Sequence, residues 1–256
     1  MFKIKKKQLN EVAIILPNFN SYNFIKETIK SVTSQTYKNW KLYIVDDASN
    51  QKTKNLLKSY EKNKKIKIFF LKKNKGAGFC RNLAIEKSHS KYIAFIDSDD
   101  IWARNKLKLQ IKFMEQNDHN FTYTYYSTFN NFNKKVKKIK VPIKFNFKYF
   151  VGNTSIATSS MIVKRSITNN IIFLNSKICE DYYYKCQLLK KTTHAYCCPS
   201  YLLKYQIRKN SLQSNRIKNL YWVWKINKNL NRFTFLKNLT SVFLISINSI
   251  KKYGWR

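Results

Sequence analysis

Acidic side chains are scarce in this sequence, and most of them occur in three short clusters. The chain has 13 Asp and Glu against 50 Lys and Arg, and seven of the 13 acids fall in these clusters. The seven are Asp46, Asp47, Asp97, Asp99, Asp100, Glu180 and Asp181. Adjacent carboxylates raise one another's pKa unless a cation or hydrogen bonds relieve the repulsion. One such pair can be a turn or a helix cap, but three clusters indicate a site.

The spacing Asp97-Ser98-Asp99 has a specific chemical use. Two carboxylates separated by one residue in a loop can direct oxygens at a hard cation such as Mg²⁺ or Mn²⁺, which commonly shares its ligand shell with substrate phosphates. Such an ion neutralises a diphosphate as it departs. The motif is common in surface loops, so its position matters: here it follows the apolar run "YIAFI".

The first ~115 residues alternate between apolar runs and helical patterns. Continuous apolar runs separated by helices predict an α/β fold with a mostly parallel, Rossmann-like sheet flanked by helices. Ligands bind such sheets beyond the carboxyl ends of the strands, where Asp46, Asp47 and Asp97 would lie. We predict strands at 12–16, 40–47, 65–71 and 92–96, and helices at 22–34, 50–63, 79–88 and around Leu107, Ile111 and Met114.

The pattern loosens after Phe121. A further strand is predicted in "SSMIVKR" and a helix in "ICEDYYYKCQLLKK", whereas "YTYYSTFNNFNKK" and "KKVKKIKVPIKFNFKYF" suggest strands or loops, with a solvated loop favoured for the basic run. The aromatic and basic tail predicts an amphipathic surface helix or a packed helix pair, since its longest uncharged stretch, 238–250, is shorter than the ~20 residues of a membrane span. We therefore expect one domain over 1–215 and a helical extension over 216–256.

Composition limits the class of protein. Hydrophobic content of 44% and aromatic content of 16% indicate a folded chain. The net charge of +37 attracts nucleic acid, anionic lipid or nucleotides, but it also fits a compositional drift towards lysine. Five cysteines without a CxxC spacing favour reduced thiols. The N-terminal apolar run VAIIL is too short for a signal peptide, which predicts a cytoplasmic protein, with peripheral contact to the inner membrane compatible.

Taken together and in order, four blocks resemble the family 2 inverting glycosyltransferases of the GT-A nucleotide-diphospho-sugar transferase fold. They are "VAIILPNFN", "SVTSQTYKNWKLYIVDDAS", "NKGAGFCRN" and "YIAFIDSDDIW". "ICEDYYY" resembles the family's later ED motif, and "YQIRKNSLQSN" resembles a loop that often closes over the donor. The resemblance covers about residues 10–215.

The resemblance implies a role for each site residue. Pro17, Phe19 and Asp47 would hold the nucleotide base, with a packed Phe19 and a capping Asp47 as alternatives. Gly76 and Gly78 would allow a tight turn or close approach to the donor, and Arg81 would lie near the sugar or phosphate.

The remaining roles concern metal and catalysis. Asp99 is the first candidate for metal ligation and Asp97 the second, while Asp97 and Asp100 could instead contact ribose, sugar or metal-bound water. Asp181 would be the catalytic base, with Glu180 as a helper or an acid at a helix N-terminus. Arg208 and His194 are weaker candidates: Arg208 could clamp the diphosphate, whereas a lone histidine is usually structural.

The resemblance therefore implies an inverting, Mn²⁺- or Mg²⁺-dependent enzyme. It would move a sugar from a nucleotide-sugar donor, a UDP-sugar first, to a glycan or lipid-linked acceptor in bacterial surface polysaccharide or lipopolysaccharide assembly. The alternative is a basic protein that binds nucleic acid or an anionic surface without activity. Acids in its groove would repel phosphates, so no nucleic-acid partner is expected. The chain departs from the family where it has "VDDASNQ" and "GAGFCRN", which puts loop geometry and sugar preference in question.

Overall fold

The first half of the sheet is parallel, as the alternation predicts. The computed structural model describes residues 11–129, 135–176, 179–208 and 216–253. The first four strands are β1 (Val12–Asn18), β2 (Trp40–Asp46), β3 (Ile66–Phe70) and β4 (Tyr92–Phe95). Strand β3 lies at one edge of the sheet, and the order continues β2, β1, β4, with every pairing parallel. Parallel strands need a crossover between them, and helices α1 (Tyr22–Thr33), α2 (Gln51–Lys58) and α3 (Ala77–Glu86) lie in these connections. 

The core explains why these runs form strands. β1 is buried at every position, and so is β4, because both lie in the interior of the sheet. Helix α1 packs Ile25, Ile29 and Val32 inward, which is the apolar stripe that its sequence predicts. Asn50 caps α2 by accepting a hydrogen bond from the Thr53 N–H at 3.0 Å.

The second half of the sheet is mixed, so the expectation of a mostly parallel sheet holds for the first half only. Its elements are β5 (Ile101–Trp102), α4 (Lys106–Gln116), β6 (Phe121–Phe129), β7 (Lys135–Ile139), β8 (Lys144–Phe145), α5 (Phe147–Phe150), β9 (Ile162–Lys164), α6 (Glu180–Lys191) and β10 (Ala195–Gln206). Beyond β4 the strand order is β9, β6, β10, β5. Within the described residues β6 and β10 are parallel, and the other pairings here are antiparallel. The physical reason is that the regular strand–helix repeat, which imposes parallel crossovers, stops after α4.

Two elements of this half differ from the sequence-based expectation. The basic run that we expected to be a loop contains β7, which pairs with β6; lysines are typical of exposed strand edges. The 12-residue strand β10 was not predicted at all. It contains Pro199, which argues against a strand, and its pairing with β6 shifts register between Cys198 and Leu203.

The tail forms a packed helix pair, which agrees with one of the two expected forms. Helix α7 spans Arg216–Asn229 and α8 spans Phe235–Tyr253. Among the described helices, none combines the length and apolar character that crossing a membrane would require. The domain boundary predicted at residue 215 and the donor-loop residues 209–215 lie outside the described part of the chain, so the division into 1–215 and 216–256 stays a prediction.

Candidate active site

The carboxyl ends of β1 and β2 hold the first acid pair in place. Asn18 and Asp46 are register partners, and Asn18 Nδ2 donates to Asp46 Oδ1 at 2.7 Å. Asp46 Oδ2 accepts from the Ser49 N–H at 3.0 Å, so this buried acid shapes the turn after β2. The local sequence requires such support because Ala48 adopts a left-handed φ of 60°.

Asp47 binds the main chain of a second loop. Its Oδ1 accepts from the Lys75 N–H at 2.7 Å, and its Oδ2 accepts from the Gly76 N–H at 2.8 Å. Gly76 has a φ of +89°, which glycine adopts without strain. Asp47 thereby fixes the loop that leads into α3, and a carboxylate bonded in this way still has lone pairs for a ligand. Pro17 is buried at the end of β1, and Phe19 beside it is exposed.

Arg81 joins two acid clusters that are far apart in sequence. From helix α3 its Nη2 donates to Asp97 Oδ1 at 2.7 Å, and its Nη1 donates to Glu180 Oε1 at 2.8 Å. Arg81 is buried and lies over the ring of Phe173. Burial lowers the pKa of Arg81, but Asp97 and Glu180 more than offset this and raise it. The guanidinium thus remains charged and fastens the first turn of α6 to the loop after β4.

A close backbone approach supports the same junction. A Cβ on Gly78 would overlap the carbonyl oxygen of Leu174 and would lie 3.3 Å from the Glu180 side chain. Only glycine therefore fits at this position of α3. Cys179, directly before α6, has a left-handed φ of 61°, which turns the chain so that Glu180 and Asp181 open the helix. Both acids then lie at the positive end of the helix dipole.

Asp181 is held by a lysine and a threonine. Lys185 Nζ and Thr158 Oγ1 each donate to Asp181 Oδ2 at 2.7 Å, while Oδ1 receives neither bond. Burial acts to raise the pKa of Asp181, but Lys185, the Thr158 hydroxyl and Arg81 outweigh it and hold the pKa well below its usual range. For Glu180 the balance is reversed: burial raises its pKa despite Arg81. Asp181 is therefore the acid of this pair that stays ionised most readily.

The loop that contains Asp97, Ser98 and Asp99, called the DxD loop below, is bound from two sides. Asp99 Oδ2 pairs with Arg208 Nη2 at 2.5 Å, and burial nevertheless raises the pKa of Asp99. Arg208 also lies over the ring of Phe24. On the other side, the Asp97 N–H donates to Ser159 Oγ at 3.0 Å. Asp97 and Asp99 each have one carboxylate oxygen engaged by an arginine.

Asp100 differs from its two neighbours because it is fully buried. Its Oδ1 accepts from the Gln206 N–H at 2.9 Å, which ties the loop to the end of β10. Burial, with Asp99 and Asp97 adding to it, raises the pKa of Asp100 well above its usual value. This placement suits a residue that positions the DxD loop.

Asp97 and Asp99 fit a divalent cation by chemistry and exposure. Carboxylate oxygens are the ligands that Mg²⁺ and Mn²⁺ prefer. Within the described ranges no three His, Cys, Asp or Glu side chains form a metal cage. A cation here would thus take its remaining ligands from substrate phosphates or water, as Mg²⁺ commonly does. The side chains of Asp97 and Asp99 therefore fit a divalent metal ion, which would lie close to the guanidinium of Arg208.

The structure adds three residues that the motifs do not predict. Thr158 and Ser159 lie in a short 3₁₀ turn and contact Asp181 and Asp97, and Lys185 pairs with Asp181. Lys185 could have been found, because it follows Asp181 by four residues on one helix face. His194 does not join the site. It directly precedes Ala195, the first residue of β10, whereas Gln206 at the other end of this strand contacts Asp100. His194 therefore lies at the end of β10 that is far from the acid clusters.

Solved structures share this architecture. TarS of S. aureus, in complex with UDP, matches with a TM-score of 0.72 at 16% identity, covering 96% of this chain and 72% of that one. A mannosyltransferase of Pyrobaculum calidifontis, in complex with GDP-Man and Mn²⁺, matches with a TM-score of 0.70 at 14% identity, covering 91% and 69%. At these identities the likeness concerns the fold, which is that of α/β glycosyltransferases with the GT-A architecture.

Sequence comparisons identify the family. The model described as "Glycosyl transferase family 2" matches residues 13–201. TuaG of Bacillus subtilis, a putative teichuronic acid biosynthesis glycosyltransferase, is 34% identical over 72% of this chain and 74% of its own. WfgD of Escherichia coli, a UDP-Glc:alpha-D-GlcNAc-diphosphoundecaprenol beta-1,3-glucosyltransferase, is 35% identical over 70% of each chain. This chain belongs to glycosyl transferase family 2.

The predicted family and the GT-A fold are therefore confirmed, and so is the prediction that the protein is a glycosyltransferase; its metal dependence stays a prediction. The relatives named here are glycosyltransferases, so they give no support to a basic binding protein without activity. 

Proposed function

We propose that the protein transfers a sugar, with inversion, from a UDP-sugar to a glycan or lipid-linked acceptor in bacterial surface polysaccharide assembly. TarS in complex with UDP and WfgD, whose name includes UDP-Glc and a diphosphoundecaprenol acceptor, support this donor and acceptor class. The enzyme would work in the cytoplasm, with peripheral contact to the inner membrane where a lipid-linked acceptor is embedded.

One observation carries the proposal: Arg81 contacts both Asp97 and Glu180. The loop after β4 and the first turn of α6 thus lie side by side, although Asp97 and Glu180 are 83 positions apart in the sequence. A transferase needs this proximity, because the leaving diphosphate and the acceptor hydroxyl lie on opposite sides of one anomeric carbon.

The donor's nucleotide would bind at the ends of β1 and β2. The exposed ring of Phe19 can stack on uracil, and Asp47 can accept the imide N–H while it keeps its bonds to the 75–76 loop. Pro17 would shape the floor of this pocket. Gly76 gives the loop its turn, and the main-chain hydrogen bonds to Asp46 and Asp47 would hold the base pocket in shape before the nucleotide binds.

The diphosphate would bind at the DxD loop. Asp97 and Asp99 would hold Mn²⁺ or Mg²⁺, and the ion would neutralise charge on the departing diphosphate. Arg208, which now pairs with Asp99, would turn to the phosphates and clamp them. Arg81 would orient Asp97 through its Nη2, and Asp100 would fix the loop through β10.

Asp181 would act as the base. Its Oδ1, which neither Lys185 nor Thr158 binds, would accept the proton of the acceptor hydroxyl. The new bond forms between that oxygen and the anomeric carbon, and the bond to the diphosphate breaks with its electron pair. The lowered pKa of Asp181 would keep it ionised and competent at neutral pH.

Two substitutions separate the donor and base roles. Asp99→Asn should abolish Mn²⁺-dependent binding of UDP-sugars in calorimetry, whereas Asp181→Asn should keep donor binding and lose transfer by roughly 10²–10⁴-fold. Asp118→Asn, which removes an exposed acid paired with Lys164, is the matched control and should change neither. Unchanged donor binding in Asp99→Asn would refute the metal assignment, and near-normal turnover in Asp181→Asn would refute the base.

A further inference from the structure

Three polar side chains of helix α8 face the protein. Asn238 and Asn248 are placed inward and donate to main-chain carbonyls, and Ser241 does the same while it accepts from Asn227 Nδ2. The acceptors are the carbonyl oxygens of Trp224, Val151 and Gly152, at 3.0, 2.6 and 3.0 Å. These hydrogen bonds, together with the buried side chain of Ile245, attach the helix to the rest of the protein.

The opposite side of α8 is apolar and faces outward. Leu236, Leu239 and Phe243 are 73%, 50% and 62% exposed. Ile247 and Ile250 continue the same line and are half-buried. The spacing of three, four, four and three residues keeps all five on one face. We call this face, formed by Leu236, Leu239, Phe243, Ile247 and Ile250, the outer stripe.

This arrangement is the reverse of what water-soluble helices show. A surface helix normally packs its apolar stripe on the core and exposes its polar face. Neighbouring apolar groups extend the exposed surface: Phe235 is also exposed and contacts the Trp224 ring at 5.6 Å, and α7 exposes Ile217 and Tyr221. A contiguous apolar surface of this kind indicates an interaction with another molecule or a membrane.

The charge of the tail selects among partners. No Asp or Glu occurs after Asp181, and residues 216–253 contain eight Lys and Arg. A second copy of this chain would bring the same positive charge to the interface and would be repelled. Nucleic acid would use the lysines but would leave the apolar stripe in water. An anionic lipid surface satisfies both features, since it offers negative headgroups and an apolar layer below them.

We propose that the outer stripe docks the protein on an anionic lipid bilayer, with α8 lying parallel to the surface. The helix is about 28 Å long, so its whole length can lie at the boundary of headgroups and acyl chains. Exposed lysines near both ends, Lys237 and Lys251, would contact the headgroups. The purpose of this docking rests on the proposed function, because a lipid-linked acceptor is reached from the membrane surface.

Vesicle co-sedimentation of the full chain tests the proposal without any transfer reaction. Wild type should bind vesicles of phosphatidylcholine with phosphatidylglycerol and should bind pure phosphatidylcholine weakly. The double variant Leu236→Ser/Phe243→Ser should lose at least about tenfold in binding, since two apolar side chains no longer enter the lipid. The control Ile143→Ser/Ile172→Ser changes two equally exposed apolar residues elsewhere and should bind as wild type does.

Two further measurements keep the outcome unambiguous. Calorimetry with UDP-sugar in the absence of vesicles should give equal affinity for wild type and the stripe variant, so a failed docking is distinguished from a failed donor site. Unchanged vesicle binding by the stripe variant would overturn the proposal. A wild-type dimer in sedimentation velocity that the stripe substitutions convert to a monomer would overturn it in favour of a second copy.

Discussion

Two regions of the sheet edge bind their carboxylates differently. Beside β1 and β2, Asp46 and Asp47 accept hydrogen bonds from main-chain N–H groups of Ser49, Lys75 and Gly76. Beside β4 and α6, the clustered acids other than Asp100 pair with cationic side chains. These pairs are Asp97 and Glu180 with Arg81, Asp99 with Arg208, and Asp181 with Lys185.

The difference bears on what each region can do. Main-chain bonds fix the position of a loop and stay in place when a ligand binds, which suits recognition of a rigid, planar base. Ion pairs of side chains can change partner, because an arginine that binds a carboxylate can equally bind a phosphate. The first region is therefore suited to holding the nucleotide, and the second to handling charge that moves during transfer.

The largest test of this comparison removes the shared cation. Arg81→Met leaves two carboxylates, Asp97 and Glu180, in a buried site without their partner, and should cost about 3–5 kcal/mol in the free energy of unfolding. Urea denaturation measures this loss. Arg208→Met is the matched control: it breaks one carboxylate pair instead of two, and Arg208 is 39% exposed, so its loss should cost less than that of the buried Arg81.

Equal losses in the two arginine variants would contradict the view that Arg81 organises the site. A second substitution sharpens the result. Glu180→Gln in the Arg81→Met background neutralises one of the stranded acids and should recover part of the stability, because the remaining cost is that of Asp97 alone.

The next test concerns the pKa of the proposed base. In Lys185→Met, the ammonium group no longer offsets the burial of Asp181, so the pKa of Asp181 should rise towards its ordinary value. Because only the ionised carboxylate can accept a proton, the acidic limb of the pH–rate profile should move to higher pH. Lys191→Met, an exposed lysine on the same helix, should leave the profile unchanged.

The pH dependence of the free energy of unfolding should also differ between wild type and Lys185→Met, in the direction that the pKa of Asp181 sets. In wild type the depressed pKa of Asp181 contributes stability above the unfolded value of about 3.9, and this is lost as pH falls through the folded value. In Lys185→Met the folded pKa lies closer to the unfolded one, so this contribution to stability, and its loss on acidification, should both be smaller. An unmoved acidic limb in Lys185→Met would exclude Asp181 as the titrating base.

The sequence predicts those features of the fold and the site that depend on residues close together in the chain. The alternation of residues 12–96 specifies a parallel sheet, and the position of "DSDD" after an apolar run places Asp97 at its edge. The pairing of Lys185 with Asp181 also follows a local rule, the four-residue spacing on a helix. The contact of Arg81 with Glu180 does not, since 99 residues separate them and nothing in either segment indicates the other.

Two further features could not be predicted, for different reasons. Strand β10 contains Pro199 and register shifts, so its own sequence disfavours a strand, and pairing with β6 imposes the extended conformation. Helix α8 shows its apolar stripe in sequence, but periodicity does not say which face packs on the protein. Hydrogen bonds of Asn238, Ser241 and Asn248 decide this, and they depend on carbonyl groups elsewhere in the fold.

A smaller test compares main-chain-bound and cation-bound acids directly. Asp47→Asn replaces one acceptor oxygen by an NH₂ group that would face the N–H of Lys75 or Gly76, and should cost about 1–3 kcal/mol in stability. Asp97→Asn keeps an oxygen for Arg81 and should cost less. Urea denaturation of both variants, with Asp118→Asn as the exposed control, ranks them. A larger loss for Asp97→Asn would reverse the distinction between the two regions.

The smallest effect concerns backbone strain, which each region holds at one residue beside its acids. Ala48 follows Asp47 and Cys179 precedes Glu180, and both have a left-handed φ that favours glycine. Ala48→Gly should therefore raise the free energy of unfolding by about 0.5–1 kcal/mol, net of the greater freedom of glycine in the unfolded chain. Cys179→Gly should gain less, because it also removes a partly buried thiol. The control Lys26→Gly, within helix α1, should instead lower the free energy of unfolding by about 1 kcal/mol. Thermal unfolding measures all three variants. A loss of stability for Ala48→Gly would mean that the turn after Asp47 is not strained.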